Sequence, residues 1–194
     1  MTTAEITIRP IHDVPQEDVD AVFGTRGDPA GCWCQFFKLT NAQWDARTRD
    51  DRRDLLCEQA RVAPGPGLVA YRDGEPAGWV AVEPRVVYPR LRRARVTAEL
   101  RPEFDDPTVW AITCFVVPVG HRNQGVAGAL ASAAVEHARA HGAASVEGYP
   151  VDTDENPRLS AADRYHGTVR LFERAGLTVV SRPAPARAIM RLTF

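Results

Sequence analysis

Lysine is almost missing from this chain of 194 residues: Lys38 stands alone, and every other basic residue is arginine. Leu39 follows Lys38, so it cannot close the G-K-[ST] end of a phosphate-binding loop, and a Walker-type nucleotide hydrolase is excluded. Excess charge is missing too. The 24 basic and 25 acidic residues give a formal net charge of -1, which leaves no molecule-wide field to draw in nucleic acid or an anionic membrane. No apolar run reaches 18 residues, and the start MTTAEITIRP lacks the regions of an export signal. The expectation is therefore a cytoplasmic protein with no nucleic-acid or membrane partner. Cys32, Cys34, Cys57 and Cys114 match neither a zinc ribbon nor a secreted disulfide framework, and they read as reduced thiols.

What is present is the composition of one soluble domain, 1–194, with 44% hydrophobic and 25% charged residues. Residues 5–9 alternate as a first strand, and a helix led by Pro15 runs to Gly24. A Gly-, Asp- and Pro-rich loop carries Cys32-Trp33-Cys34, read as extended and packing. Asn41 is expected to cap a helix over about 42–62. Two apolar runs joined at Asp73-Gly74 read as a hairpin with strands near 67–72 and 77–83. The arginine-rich stretch 84–108 has no clean period, and it is expected to be a surface excursion on the substrate side. VWAITCFVV, residues 109–117, reads as a central strand buried on both faces. A helix over 125–141 ends at Gly142, a strand covers 144–149, a helix 164–175, and two strands close the chain. The pattern predicts an α/β (α+β) class with a mixed, mostly antiparallel sheet flanked by helices.

The strand–turn–helix unit at 109–141 is the most informative part. Its turn offers only Gly125 and Gly128, so the G-x-G-x-x-G dinucleotide fingerprint is absent. The first N–H groups of a helix have no intrahelical acceptor, and with a glycine before them they form an anion site suited to pyrophosphate. Arg122-Asn123-Gln124-Gly125-Val126-Ala127 resembles the R/Q-x-x-G-x-G/A pattern of the GNAT N-acetyltransferase superfamily. Leu171-Phe172-Glu173-Arg174-Ala175-Gly176-Leu177 is similar to the later L-Y-x-x-x-G-F of that superfamily.

The resemblance implies a GNAT-like sheet with splayed central strands and acetyl-coenzyme A as co-substrate, with no metal. The backbone of Phe115, Val116 and Val117 would pair with the pantetheine arm, and Pro118 would help part the strands. The N–H groups of Gln124, Gly125, Val126 and Ala127 would hold the pyrophosphate, with Asn123 also in the cofactor site and Arg122 adding a charged contact. The implied activity is acetyl transfer to the amino group of a small molecule or peptide. A catalytically silent acyl-coenzyme A binding or sensing domain is the alternative, and the oligomeric state stays open, a homodimer included.

Two departures leave the catalytic groups open. Phe172 stands where relatives often have a tyrosine, and the strand 109–117 has no carboxylate. Tyr165, seven residues before Phe172, would share its helix face and is the candidate acid. Glu147 in SVEGYP is the candidate base, against the bland reading of a surface ionic residue. Cys114 reads as a core thiol and His137 and His141 as a solvated helix end; Arg85 to Arg101 are candidates for the cofactor's 3'-phosphate or an anionic acceptor. Trp33, Phe36, Phe37, Trp44 and Tyr88 divide between acceptor pocket and core.

Overall fold

The computed structural model describes residues 4–155 and 160–194. The chain opens with β1 (Ile6–Pro10), α1 (Gln16–Phe23), α2 (Gly27–Cys32), α3 (Asn41–Asp45) and α4 (Arg49–Ala60). The hairpin β2 (Gly67–Arg72) and β3 (Glu75–Pro84) leads through α5 (Pro89–Arg93) to β4 (Val109–Val116), α6 (Val126–Ala140) and β5 (Ser145–Gly148). Two short helices, α7 (Ala161–Arg164) and α8 (Val169–Arg174), precede the hairpin β6 (Thr178–Ala184) and β7 (Arg187–Thr193).

The seven strands form one sheet in the order β1-β2-β3-β4-β5-β7-β6, antiparallel except where β4 runs parallel to β5. That mostly antiparallel sheet between helices is the architecture expected from the sequence. Val126, Leu130, Ala134 and Ala138 form the buried stripe of α6, which packs over β2 and β3. Close approach depends on Gly78, where an added Cβ would lie 2.8 Å from Val126. The other face of the sheet carries α1 and α2 at one end and the 84–108 segment at the other.

Four expectations need correction. Thr40 and Thr48, not Asn41, cap two successive helices, each through a capping box, so 42–62 is not one helix. The 25–40 stretch holds α2, and Trp33 and Cys34 are left-handed at φ 48° and 51°, so Cys32-Trp33-Cys34 is not extended. The 84–108 segment is not a surface excursion, because Tyr88, Leu91, Leu100 and Phe104 form a small core with Ala111, Tyr149 and Ile189. Finally, 164–175 is not one helix: α7 ends at Arg164, the chain breaks at Gly167 (φ 75°), and α8 is capped by Thr168, whose hydroxyl accepts from the Leu171 N–H at 3.2 Å.

The break matters for the central strands. β4 and β5 pair only from Val109–Ser145 to Ile112–Gly148, and β4 then continues to Val116 paired with β3 but not with β5. The parting begins well before Pro118, so that proline does not cause it. Into the gap comes the segment between α7 and α8. The Tyr165 carbonyl accepts from the Phe115 N–H at 2.7 Å, and the Gly167 carbonyl accepts from Val151 N–H at 3.2 Å. Phe172 is fully buried beneath it, edge-on to Phe115 with 5.7 Å between ring centroids.

Candidate active site

The parted strands open on two cavities. The first is a groove of about 780 Å³ between the end of β4, the start of α6 and the faces of α7 and α8. Gly125, the N-cap of α6, is left-handed at φ 85° with no side-chain cap, and the first helical bond runs from the Ala129 N–H to the Gly125 carbonyl at 3.0 Å. The N–H groups of Val126, Ala127 and Gly128 thus have no helical acceptor and face a groove that all three line.

Charge in the groove has one sign. Arg122, Arg164, Arg170 and Arg174 line it, and no described lining residue is acidic. Arg170 is neutralised in part by Asp154, at 2.9 Å. The lining of the groove is therefore net positive, and the arginines in it are not those of 85–101. Arg85 is instead buried against Glu147 and the carbonyls of Glu103 and Phe104.

Most of the expected cofactor residues meet here. Phe115, Val117, Arg122, Asn123, Gly125, Val126 and Ala127 all line the groove. Three details differ from expectation. Val116 points to the opposite face, into the second cavity. Gln124 turns its side chain back to the Gly120 carbonyl at 2.9 Å, and Arg122 spends its Nε on the Val117 carbonyl at 3.1 Å. The Phe115 N–H is already taken by Tyr165, which leaves the Phe115 carbonyl and Val117 N–H, on the same side of the strand, for any extended ligand.

The second cavity, about 560 Å³, lies across the sheet edge among α2, Phe36, Phe37, Trp44 and the outer residues of β4. Its inner end is formed by Thr113, Cys114, Tyr165 and His166. Tyr165 lines both cavities, so its side chain stands where groove and chamber meet. Burial, and then the negative charge of Asp28, hold its phenol above its ordinary pKa. Burial pushes His166 down to about 4, so its imidazole is neutral at pH 7. Burial likewise raises Cys32 to about 12 and Cys34 well above the usual thiol value, so neither is a thiolate.

Glu147 is not at this site. It is fully buried on the face covered by the 84–108 segment, where its oxygens accept from Arg85 at 3.0 Å, Arg191 Nε at 2.9 Å and the Tyr149 hydroxyl at 2.6 Å. A carboxylate held by two guanidinium groups away from both cavities cannot take a proton from an acceptor, and the assignment of Glu147 as base is withdrawn. Sequence reasoning failed because alternation along a four-residue strand does not say which face meets the cleft. It also missed His166 and Asp28. Nothing local marks them, since α2 and the Gly167 break bring them to the chamber only through the fold. Cys114 is a wall of the chamber, and Trp33 and Tyr88 are core. His137 is buried against Trp110, not solvated, and among the described residues no group of three or more His, Cys, Asp or Glu could hold a metal.

The acetyltransferase (GNAT) family model matches residues 33–176. No curated protein matches the chain in sequence. Among solved structures, the chain is similar to YncA of Salmonella typhimurium, solved with its cofactor acetyl-CoA, at 18% identity and a TM-score of 0.56, covering 97% of this chain and 93% of that one. It is also similar to an N-acetyltransferase of Staphylococcus aureus Mu50, at 14% and 0.57, over 97% and 98% of the two chains. The ribosomal-protein-alanine N-acetyltransferase of Brucella melitensis matches at 16% and 0.56, over 97% and 99%. At such identities these likenesses speak for the fold.

Proposed function

The chain belongs to the GNAT acetyltransferase family, and from that premise we propose that it transfers an acetyl group from acetyl-coenzyme A to the amino group of a small molecule or peptide. The observation that carries this reading is the position of Tyr165, the residue shared by a positively charged groove and a separate, largely apolar chamber. A transferase of this kind needs two substrates that enter from different sides and meet at one proton donor.

The groove fits the cofactor's chemistry. Free N–H groups at the start of α6 and the nearby arginines would hold the pyrophosphate, and the edge of β4 that β5 leaves open beyond Ile112 offers backbone groups to an extended amide arm. When bound there, acetyl-coenzyme A supplies an acyl thioester, the electrophile of the reaction. The protein's own part is to hold the acceptor amine in the chamber, exclude water with the aromatic wall, and keep a proton on the Tyr165 hydroxyl for the departing sulfur. The raised pKa of that hydroxyl keeps it protonated at neutral pH. Asp28 is the one carboxylate among the described lining residues of the chamber, so the amine loses its proton to solvent, directly or by way of Asp28.

Thiol release from acetyl-coenzyme A over a panel of amines is the test, with Tyr165→Phe beside the wild type. Tyr165→Phe should lower kcat by about 10²-fold while leaving cofactor affinity within a factor of two or so. Unchanged turnover would remove Tyr165 from the chemistry. Cofactor binding with no thiol release for any amine would support a silent acyl-coenzyme A binding domain.

A further inference from the structure

The chamber's walls carry a statement about its occupant. Phe36 lies edge-on to both Phe37 and Trp44, with ring centroids 5.2 and 5.5 Å apart. Arg90 stacks behind Phe36 at 4.2 Å and Arg52 against Trp44 at 3.7 Å. Arg52 is itself fixed, since it donates to the carbonyls of Gly31, Trp44 and Arg47 at 2.9, 3.0 and 2.9 Å. These rings are therefore held in place before any ligand arrives. A ring with a guanidinium already on one face has less to offer a second cation, so the aromatic wall suits an uncharged body.

Negative charge is scarce in the chamber. Asp28 on α2 is the only carboxylate among the described lining residues, and it makes no hydrogen bond or ion pair with another described side chain. Asp28 lines the same chamber as Tyr165, the residue shared with the groove, and its charge is felt there. Among the remaining inner groups, Thr113 does not ionise and His166 is neutral at pH 7, so neither balances a second ammonium.

Resting on the acetyl-transfer reading, we propose that the acceptor is a primary amine with one positive charge on an aromatic or branched apolar body. Its ammonium is received by Asp28 and its body is packed between Phe36, Phe37 and Trp44. Polycationic acceptors, polyamines or aminoglycosides for example, are selected against because each further ammonium would enter an aromatic chamber already flanked by Arg52 and Arg90 with no carboxylate to meet it.

Binding tests this separately from turnover. Acceptors are titrated into the protein loaded with coenzyme A, by calorimetry, and thiol release is measured on the same amines with acetyl-coenzyme A. We expect 2-phenylethylamine to bind at least about tenfold more tightly than spermidine or tobramycin. Asp28→Asn, on an exposed helix position that should fold normally, should weaken 2-phenylethylamine about tenfold while leaving its neutral isostere 2-phenylethanol unchanged. Trp44→Ala should weaken both. Tighter binding of spermidine or tobramycin, or an Asp28→Asn protein with undiminished affinity for 2-phenylethylamine, would overturn the proposal. Selective binding of 2-phenylethylamine with no thiol release would uphold the chamber's preference and refute acetyl transfer.

Discussion

At the residue scale, the same side-chain type does opposite work according to what surrounds it. Glu147 and Asp28 are both carboxylates near the parted strands, yet one is sealed between arginines and the other faces the chamber. Glu147→Gln should therefore destabilise the protein by about 3–5 kcal/mol, because Arg85 would stay buried with its main anionic partner removed. Denaturant unfolding measures this, and a loss of activity without loss of stability would speak against a structural role. Phe172 illustrates a second case. It occupies the position where the family pattern has tyrosine, but its ring fills the space left by Gly148, where an added Cβ would come within 2.5 Å of it. Phe172→Tyr should consequently bring no gain in kcat, and thermal unfolding should show lower stability as a hydroxyl is forced into an apolar core. The motif was legible from sequence. The direction of each side chain was not, because it depends on strand register and on a helix break at Gly167.

At the element scale, long periodic segments were readable and short ones were not. β4 and α6 stand out because one is an unbroken apolar run and the other repeats every four residues, so burial alone dictates them. The helices α2, α3, α7 and α8 are six residues or fewer. Segments so short have too little periodicity to announce themselves, and caps and tertiary packing decide them. The expected 164–175 helix shows what this costs, since the loop between α7 and α8 is the part that fills the strand gap and carries Tyr165 and His166. Helix α6 also holds a pH-sensitive group. Burial pushes His137 down to about 4 from an ordinary 6.5. Its neutral form is the one the fold accepts, so its contribution is intact above pH 6.5 and is lost as pH falls toward 4, where the unfolded chain binds the proton first. His137→Gln should flatten the dependence of melting temperature on pH in that window. An unchanged slope would place the acid sensitivity elsewhere, for instance at His166, which burial also pushes down.

At the scale of the whole molecule, a net charge of -1 conceals a division of labour. Arginines collect in the groove at the start of α6, while Glu147 and Glu103 balance Arg85 and Arg191 on the opposite face. Composition could show the balance but not its partition. Among the described residues no helix is long and apolar enough to cross a membrane. Acetyl transfer requires that the groove hold the cofactor. Gly125 has left-handed backbone that asparagine and aspartate tolerate about equally, and the space beyond its Cα is open, with Ile6 3.8 Å from an added Cβ. Calorimetric titration of acetyl-coenzyme A into Gly125→Asn and Gly125→Asp therefore compares two isosteric variants that differ in charge. Gly125→Asp should lose at least about 100-fold in affinity while Gly125→Asn loses no more than about tenfold. Equal and near-normal affinity in both folded variants would contradict the claim that a phosphate group sits at this helix end.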